Sequence, residues 1–190
     1  MSSHSIEIKP VLSKKDRKIF VTLLWDIFKD DPNWVPPLIM ERMDIIDEKK
    51  NPYFLHADVR LWIAYKNGMP VGRISAQIDE LVEPQHGVKT GHYGFFDCID
   101  DQDVANALFD TACSWLKENG MIEVIGPFSL SINEETGMLV EGFDTPPRLL
   151  MGHARPYYEK LVHNYGLSSV KDTWAYTLDI SDPILPPTIQ

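Results

Sequence analysis

The sequence predicts a single α/β domain, a mixed β-sheet flanked by helices. Three observations carry this reading. Two β-rich runs, Arg60 to Tyr65 and Val71 to Ile78, flank Asn67-Gly68, the dipeptide that supplies the positive φ angles of a tight hairpin turn. Between Asp100 and Gly120, Val104, Leu108, Ala112, Trp115 and Leu116 recur at helical spacing, with Ala105 and Phe109 alongside. A strand–helix–strand run then closes the chain, and such a run needs parallel neighbours and a right-handed crossover. A hairpin is antiparallel, so the sheet is expected to be mixed.

Each element has a local cause. Residues 5–12 alternate apolar and polar, with Ile6, Ile8 and Val11 on one side. Pro10 cannot donate to a ladder, which puts this first strand near a sheet edge. Ser13 opens an S-x-x-D capping pattern with Asp16. Ile19, Phe20, Leu23, Leu24, Ile27 and Phe28 follow at helical spacing, predicting a helix from about Lys15 to Asp30 that stops before Pro32. Asp31 to Pro52 is bounded by prolines and reads as irregular, with one short helix. Trp34 there can cover the core or line a ligand cleft, core cover being the preferred role.

After the hairpin, Gly91 to Ile99 reads as a further strand. Asp100 or Asp101 caps the central helix, and Gly120 closes it. Met121 to Ile125 is a short apolar run of the sort buried on both faces. Gly126 to Pro147 is turn-rich yet carries Phe128, Leu139, Val140 and Phe143, and so long a connection in a compact domain is usually functional. Arg155 to Tyr165 predicts a helix starting near Pro156 and ended by Gly166. Ser169 to Ile180 alternates and predicts a final strand. The domain is expected over residues 1–180, with the Pro-rich 181–190 as a tail or linker.

Composition narrows the function. The chain has 190 residues and a formal charge of −10 at pH 7. That balance argues against a nucleic-acid binder, which needs a basic face to displace counterions, and against docking on anionic lipid. Cys98 and Cys113 lack CxxC spacing and read as reduced thiols packed as small apolar residues. No apolar run approaches the ~20 residues needed to span a bilayer, and MSSHSIEIKP lacks the blocks of a signal peptide. A cytoplasmic protein is expected. The six histidines are scattered, so no metal site is expected.

Particular stretches resemble the GCN5-related N-acetyltransferase (GNAT) superfamily. LWIAYKNGMPVGRISAQI (Leu61 to Ile78) looks like its second and third strands, WLKENG (Trp115 to Gly120) like the end of its central helix, and YYEKLVHNYGL (Tyr157 to Leu167) like its last helix. DDPNWVPPL, GRISAQID, GPFSLSINEETG and GFDTPP further resemble a bacterial subgroup of GNAT-like proteins, many about twice this length. The chain is therefore expected to match the first half of such a protein.

The resemblance implies acetyl-CoA or another acyl-CoA bound between two strands that splay apart, with a small-molecule or peptide amine as acceptor and a homodimer allowed. It implies Tyr158 as the acid that protonates the leaving sulfur. Ile125 and Phe128, beside the splayed strand, and Asp101 and Gln102, at the start of the central helix, are the implied cofactor contacts. That start departs from the family pattern. Asp100-Asp101-Gln102-Asp103-Val104-Ala105 has no glycine and sets three carboxylates where pyrophosphate would lie.

The loop Ser129 to Glu135 follows a strand at its carboxyl end, where α/β folds place ligands. Glu134 or Glu135 is a candidate general base, and Ser129, Ser131 and Asn133 are candidate substrate contacts. Asn133 and Ser131 can equally serve only their own turn. His153 can shuttle a proton and Arg155 can pair with an anion, completing the substrate-binding candidates. An acyl-CoA-dependent N-acyltransferase is the leading expectation. A non-catalytic GNAT-like module that binds a ligand or partner is its rival, and a nucleotide hydrolase is disfavoured by the absence of a Nudix-type box.

Overall fold

The computed structural model describes residues 5–82 and 87–176. Its sheet has five strands in the order β1 (Ile6–Pro10), β2 (Ala57–Lys66), β3 (Met69–Asp79), β4 (Thr90–Cys98) and β5 (Glu123–Ile125). The pairs β1/β2, β2/β3 and β3/β4 are antiparallel, and β4/β5 is parallel, so the sheet is mixed. The helices are α1 (Lys14–Ile27), α2 (Ile39–Ile45), a 3₁₀ turn at Pro52–Leu55, α3 (Gln102–Glu118) and α4 (Tyr158–Tyr165).

Local chemistry sets the boundaries. At α1 the Ser13 hydroxyl accepts from the Asp16 amide while the Asp16 carboxylate accepts from the Ser13 amide, a reciprocal capping box. The hairpin turns at Asn67 and Gly68, whose φ values of 55° and 78° are those a two-residue loop between right-twisted strands demands. Strand β1, ending at Pro10, is an edge strand.

Alternation along β2 and β3 divides the core. Trp62, Ala64, Ile74 and Ala76 face one cluster with Leu108 and Ala112 of α3 and Leu161 of α4, while Val59, Leu61 and Ile63 face another with Phe20 of α1, Ile46 and Tyr53. Cys98 is buried and Cys113 half-buried, both as free thiols. No helix among the described residues is long and apolar enough to cross a membrane.

Two expectations need correction. The Met121 to Ile125 strand is only three residues long and is not buried on both faces: β5 is the sheet's other edge, Glu123 is exposed and Ile122 is 80% exposed. The final strand does not form over residues 169–176, where the chain runs without regular structure and Val170, Trp174 and Tyr176 are exposed. Alternation alone makes no strand without a neighbour to complete its ladder. The rest of that segment, 177–180, and the tail 181–190 lie outside the described residues.

Candidate functional site

The site arises where β4 and β5 part. They pair only at Thr90↔Glu123, Gly91↔Val124 and His92↔Ile125. One further bond, Phe128 amide to Tyr93 carbonyl at 2.7 Å, holds the chain before it leaves β4. Gly94 permits that approach, because a Cβ there would sit 1.7 Å from the Phe128 carbonyl oxygen. The Gln77 amide donates to the same oxygen at 2.6 Å. Next on β4, Phe95 has φ 45° and the register against β3 shifts, a bulge that sends Phe95 to the cluster opposite that of Tyr93, two residues before it.

Beyond the bulge, α4 supplies what a strand would. The Tyr157 hydroxyl donates to the Cys98 carbonyl at 2.8 Å, and the Cys98 amide donates to the Tyr158 hydroxyl at 3.2 Å. The gap is a cleft open at its mouth. Phe28, Trp34, Phe96, Met138 and Met151 supply its apolar walls. Trp34 thus takes both expected roles, lining the cleft while stacking on Phe28 with ring centroids 5.4 Å apart.

The polar part of the cleft is mostly paired. Arg73 of β3 donates through Nε and Nη2 to Asp97 of β4 at 2.9 and 2.8 Å, both side chains buried, and through Nη1 to the Phe20 carbonyl at 2.9 Å. Tyr158 donates to the other Asp97 oxygen at 3.3 Å. Burial pushes the Asp97 carboxyl upward, and the Arg73 cation offsets this only in part. Burial first, then the neighbouring Asp97 charge, holds the Tyr158 phenol well above its ordinary value. Tyr158 therefore stays protonated, a buried hydrogen-bond donor to Asp97.

The other candidates separate clearly. Glu135 is in the cleft, but its carboxylate is held by Arg42 of α2. Glu134 is half-buried, and burial raises its carboxyl ahead of the opposing Arg42 charge. Ser129 lines the cleft, its amide bonded to the Glu135 carbonyl at 2.8 Å. Ser131 accepts from the Asn133 amide at 3.2 Å, a bond within the turn. Ile125 pairs with His92 in β5, and the Phe128 ring packs edge-on against His92 at 4.9 Å.

His153 lines the cleft, with Nε2 2.9 Å from Asp31. Arg155 stands behind the cleft wall: its Nε donates to the Ile27 carbonyl at 3.0 Å, capping the C-terminus of α1, its guanidinium lies over the Phe28 ring, and its Nη1 is 3.7 Å from the Asp31 carboxylate. Sequence reasoning missed Arg73, Asp97, Arg42 and Asp31. Single charges inside the apolar runs VGRISAQI and GHYGFFDCI were the signal available for the first two.

The start of α3 does not fit a pyrophosphate. The Asp101 carboxylate already accepts from the Asp103 and Val104 amides at 3.0 and 3.4 Å, the donors a phosphate would need, and is ion-paired to Lys66. Gln102 ties the helices together, donating to Asn106 and to the Leu161 carbonyl and accepting from Asn164. Among the described residues, no group of three or more His, Cys, Asp or Glu side chains is placed to hold a metal ion.

No family model matches the chain. Protein YghO of Escherichia coli K12 is 41% identical over 190 residues, which are 100% of this chain and 48% of that protein. A bacterial ceramide synthase of Caulobacter vibrioides is 45% identical over 175 residues, 92% of this chain and 46% of that protein. The chain spans about half the length of the curated relatives it matches. Among solved structures, a predicted acetyltransferase of Clostridium acetobutylicum with acetyl-CoA superposes with TM-score 0.56 at 13% identity, over 95% of this chain and 100% of that one. Ribosomal-protein-alanine N-acetyltransferase of Brucella melitensis gives 0.55 at 16%, over 93% and 99%. The mixed sheet, its helices and these superpositions agree: the chain has the fold of the GNAT acetyltransferases.

Proposed function

We propose that the chain is an N-acyltransferase domain that joins an acyl group from a thioester to a primary amine, and that the amine is borne by a long-chain amino alcohol. The observation that carries this reading is the parting of β4 and β5 over a cleft that contains Tyr158. Phe28, Phe96, Met138 and Met151 offer an acyl chain the apolar contact it loses in water. Val35 and Met151 line the cleft while remaining 55% and 40% exposed, so apolar surface continues to its mouth. The acceptor class is supported by the 45% identical relative named a bacterial ceramide synthase, since a ceramide is the N-acyl amide of a long-chain amino alcohol.

The chain's residues divide the work. The apolar walls hold the acyl portion and exclude water, while the single hydrogen of the Tyr158 hydroxyl, donated to Asp97, reaches the sulfur that leaves only by turning away from that carboxylate. Arg73 holds Asp97, and Asp97 holds Tyr158. Because the start of α3 is filled by Asp101, no role is given to a pyrophosphate there.

Incubating the purified protein with a palmitoyl thioester and sphinganine, then seeking the N-palmitoyl amide by mass spectrometry, tests the proposal. Amide on the long-chain amino alcohol, in excess over amide on spermidine or a peptide amine, is expected. No amide with any acceptor would overturn it. A second reading, a GNAT-fold module that binds a ligand without turnover, is favoured by the Asp101 carboxylate seated on the α3 amides. Calorimetric binding of the thioester without amide formation would select that reading.

A further inference from the structure

Asp31 follows the C-terminus of α1, its amide bonded to the Phe28 carbonyl at 2.9 Å. One carboxylate oxygen accepts from the Asn33 amide at 3.0 Å, and the other faces His153 Nε2 at 2.9 Å with Arg155 Nη1 3.7 Å away. The two side chains are 12% and 5% exposed. Burial pushes the Asp31 carboxyl upward, but the His153 and Asn33 hydrogen bonds outweigh it and leave it below the usual carboxylate range. Facing an ionised acceptor, Nε2 carries the hydrogen, so the lone pair of the neutral ring is on Nδ1.

That Nδ1 is buried and, among the described residues, has no hydrogen-bond partner. Leaving such a bond unmade is costly, so a buried orphan nitrogen on a residue of the cleft wall points to a ligand group. The competing bases there are engaged: Glu135 by Arg42, and Asp97 by Arg73 and Tyr158. The Arg42 Nε, a donor only, is likewise buried and without a partner among the described residues.

We infer that His153, oriented by Asp31, is the proton acceptor of the cleft, taking a hydrogen from the amine nitrogen of the acceptor substrate. The inference rests on the N-acyltransferase reading. The amine nitrogen attacks the thioester carbonyl carbon, the N–C bond forms and the C–S bond breaks. The amine proton moves to Nδ1, giving an imidazolium paired with Asp31; the imidazolium then releases that proton and the departing thiolate gains it, so that amide and thiol are the products and the ring is neutral again. Asp31 is a positioning residue, fixing the tautomer and neutralising the imidazolium.

His153→Gln tests this directly, because the glutamine amide can keep a donor toward Asp31 while removing the Nδ1 lone pair. With sphinganine and a palmitoyl thioester, kcat is expected to fall about 100-fold or more with KM within about twofold and the melting temperature little changed. Turnover within about threefold of wild type would overturn the inference. Asp31→Asn should lower kcat and Asp31→Glu recover part of it, whereas a merely structural Asp31 would change the melting temperature alone. A second readout needs no activity. In a long-range proton–nitrogen spectrum at pH 8, with the His153 signals assigned by their loss in His153→Gln, the Nε2–H tautomer with a bare Nδ1 is expected. The Nδ1–H tautomer would overturn the inference. A bare Nδ1 in a protein that makes no amide would count against the N-acyltransferase reading instead.

Discussion

Truncating Asp97 to alanine removes half of an ion pair whose side chains, Arg73 and Asp97, are 8% and 9% exposed. Two charge-assisted hydrogen bonds, at 2.9 and 2.8 Å, are lost. Such bonds contribute roughly 1.5–3 kcal/mol each, and the guanidinium left behind lies over the Phe20 and Phe95 rings without a counter-ion. The expected loss of stability is about 3–5 kcal/mol, the usual cost of breaking a buried pair from one side. Removing both charges together, as Arg73→Met with Asp97→Leu, leaves no orphaned charge and should cost at least ~2 kcal/mol less than the sum of the singles. Urea unfolding of wild type, Asp97→Ala, the singles Arg73→Met and Asp97→Leu, and the double variant measures the coupling. An Asp97→Ala cost under about 1 kcal/mol, or strict additivity, would refute the reasoning, because the pair would then be solvated rather than buried.

Other perturbations follow from the same geometry. Gly94→Ala sets a Cβ against the Phe128 carbonyl and should disrupt both the Phe128–Tyr93 and Gln77–Phe128 bonds, costing at least ~2 kcal/mol. Calorimetry should register a fall of ~4–8 °C, and an unchanged melting temperature would contradict the close approach. Asp101→Ala removes the α3 cap and should cost about 1 kcal/mol at pH 7. Burial pushes Asp101 upward, yet Lys66 and the helix amides hold it below its ordinary value. Its contribution is therefore present above about pH 4, the unfolded value, and fades as pH falls through the lower folded one. Denaturation at pH 7 and pH 3 should show the wild-type advantage shrinking, and a constant gap would contradict it. Tyr158→Phe loses the donor to Asp97 and the acceptor for the Cys98 amide, so a loss of ~1–2 kcal/mol with reduced turnover is expected. Unchanged unfolding and turnover would remove Tyr158 from the site.

What could be read before folding was local. The Ser13 capping box, the Asn67-Gly68 turn and the Asp101 cap each depend on groups within a few residues of one another, and each occurs as expected. The site was harder because its partners are distant in sequence. His153 meets Asp31 across 122 positions and Arg42 meets Glu135 across 93, pairings that no spacing encodes. Arg155 also meets distant partners, the Ile27 carbonyl 128 residues away and the Asp31 carboxylate at 3.7 Å. Arg73 and Asp97 were the exception. A single charge in an otherwise apolar strand must be paired or exposed, and a charge-in-strand search would have found both. The failed strand after Gly166 shows the limit of alternation, which specifies a face and not a neighbour.

In the proposed reaction an acyl chain enters between β4 and β5. Photolabelling the purified protein with a palmitoyl thioester that carries a diazirine in its chain tests this most directly. The expected adducts fall on cleft residues such as Phe96, Met138, Met151 and Tyr158 and diminish when unlabelled thioester is added. Labelling confined to the exposed β5 edge around Ile122, or spread over the surface without competition, would contradict the proposal.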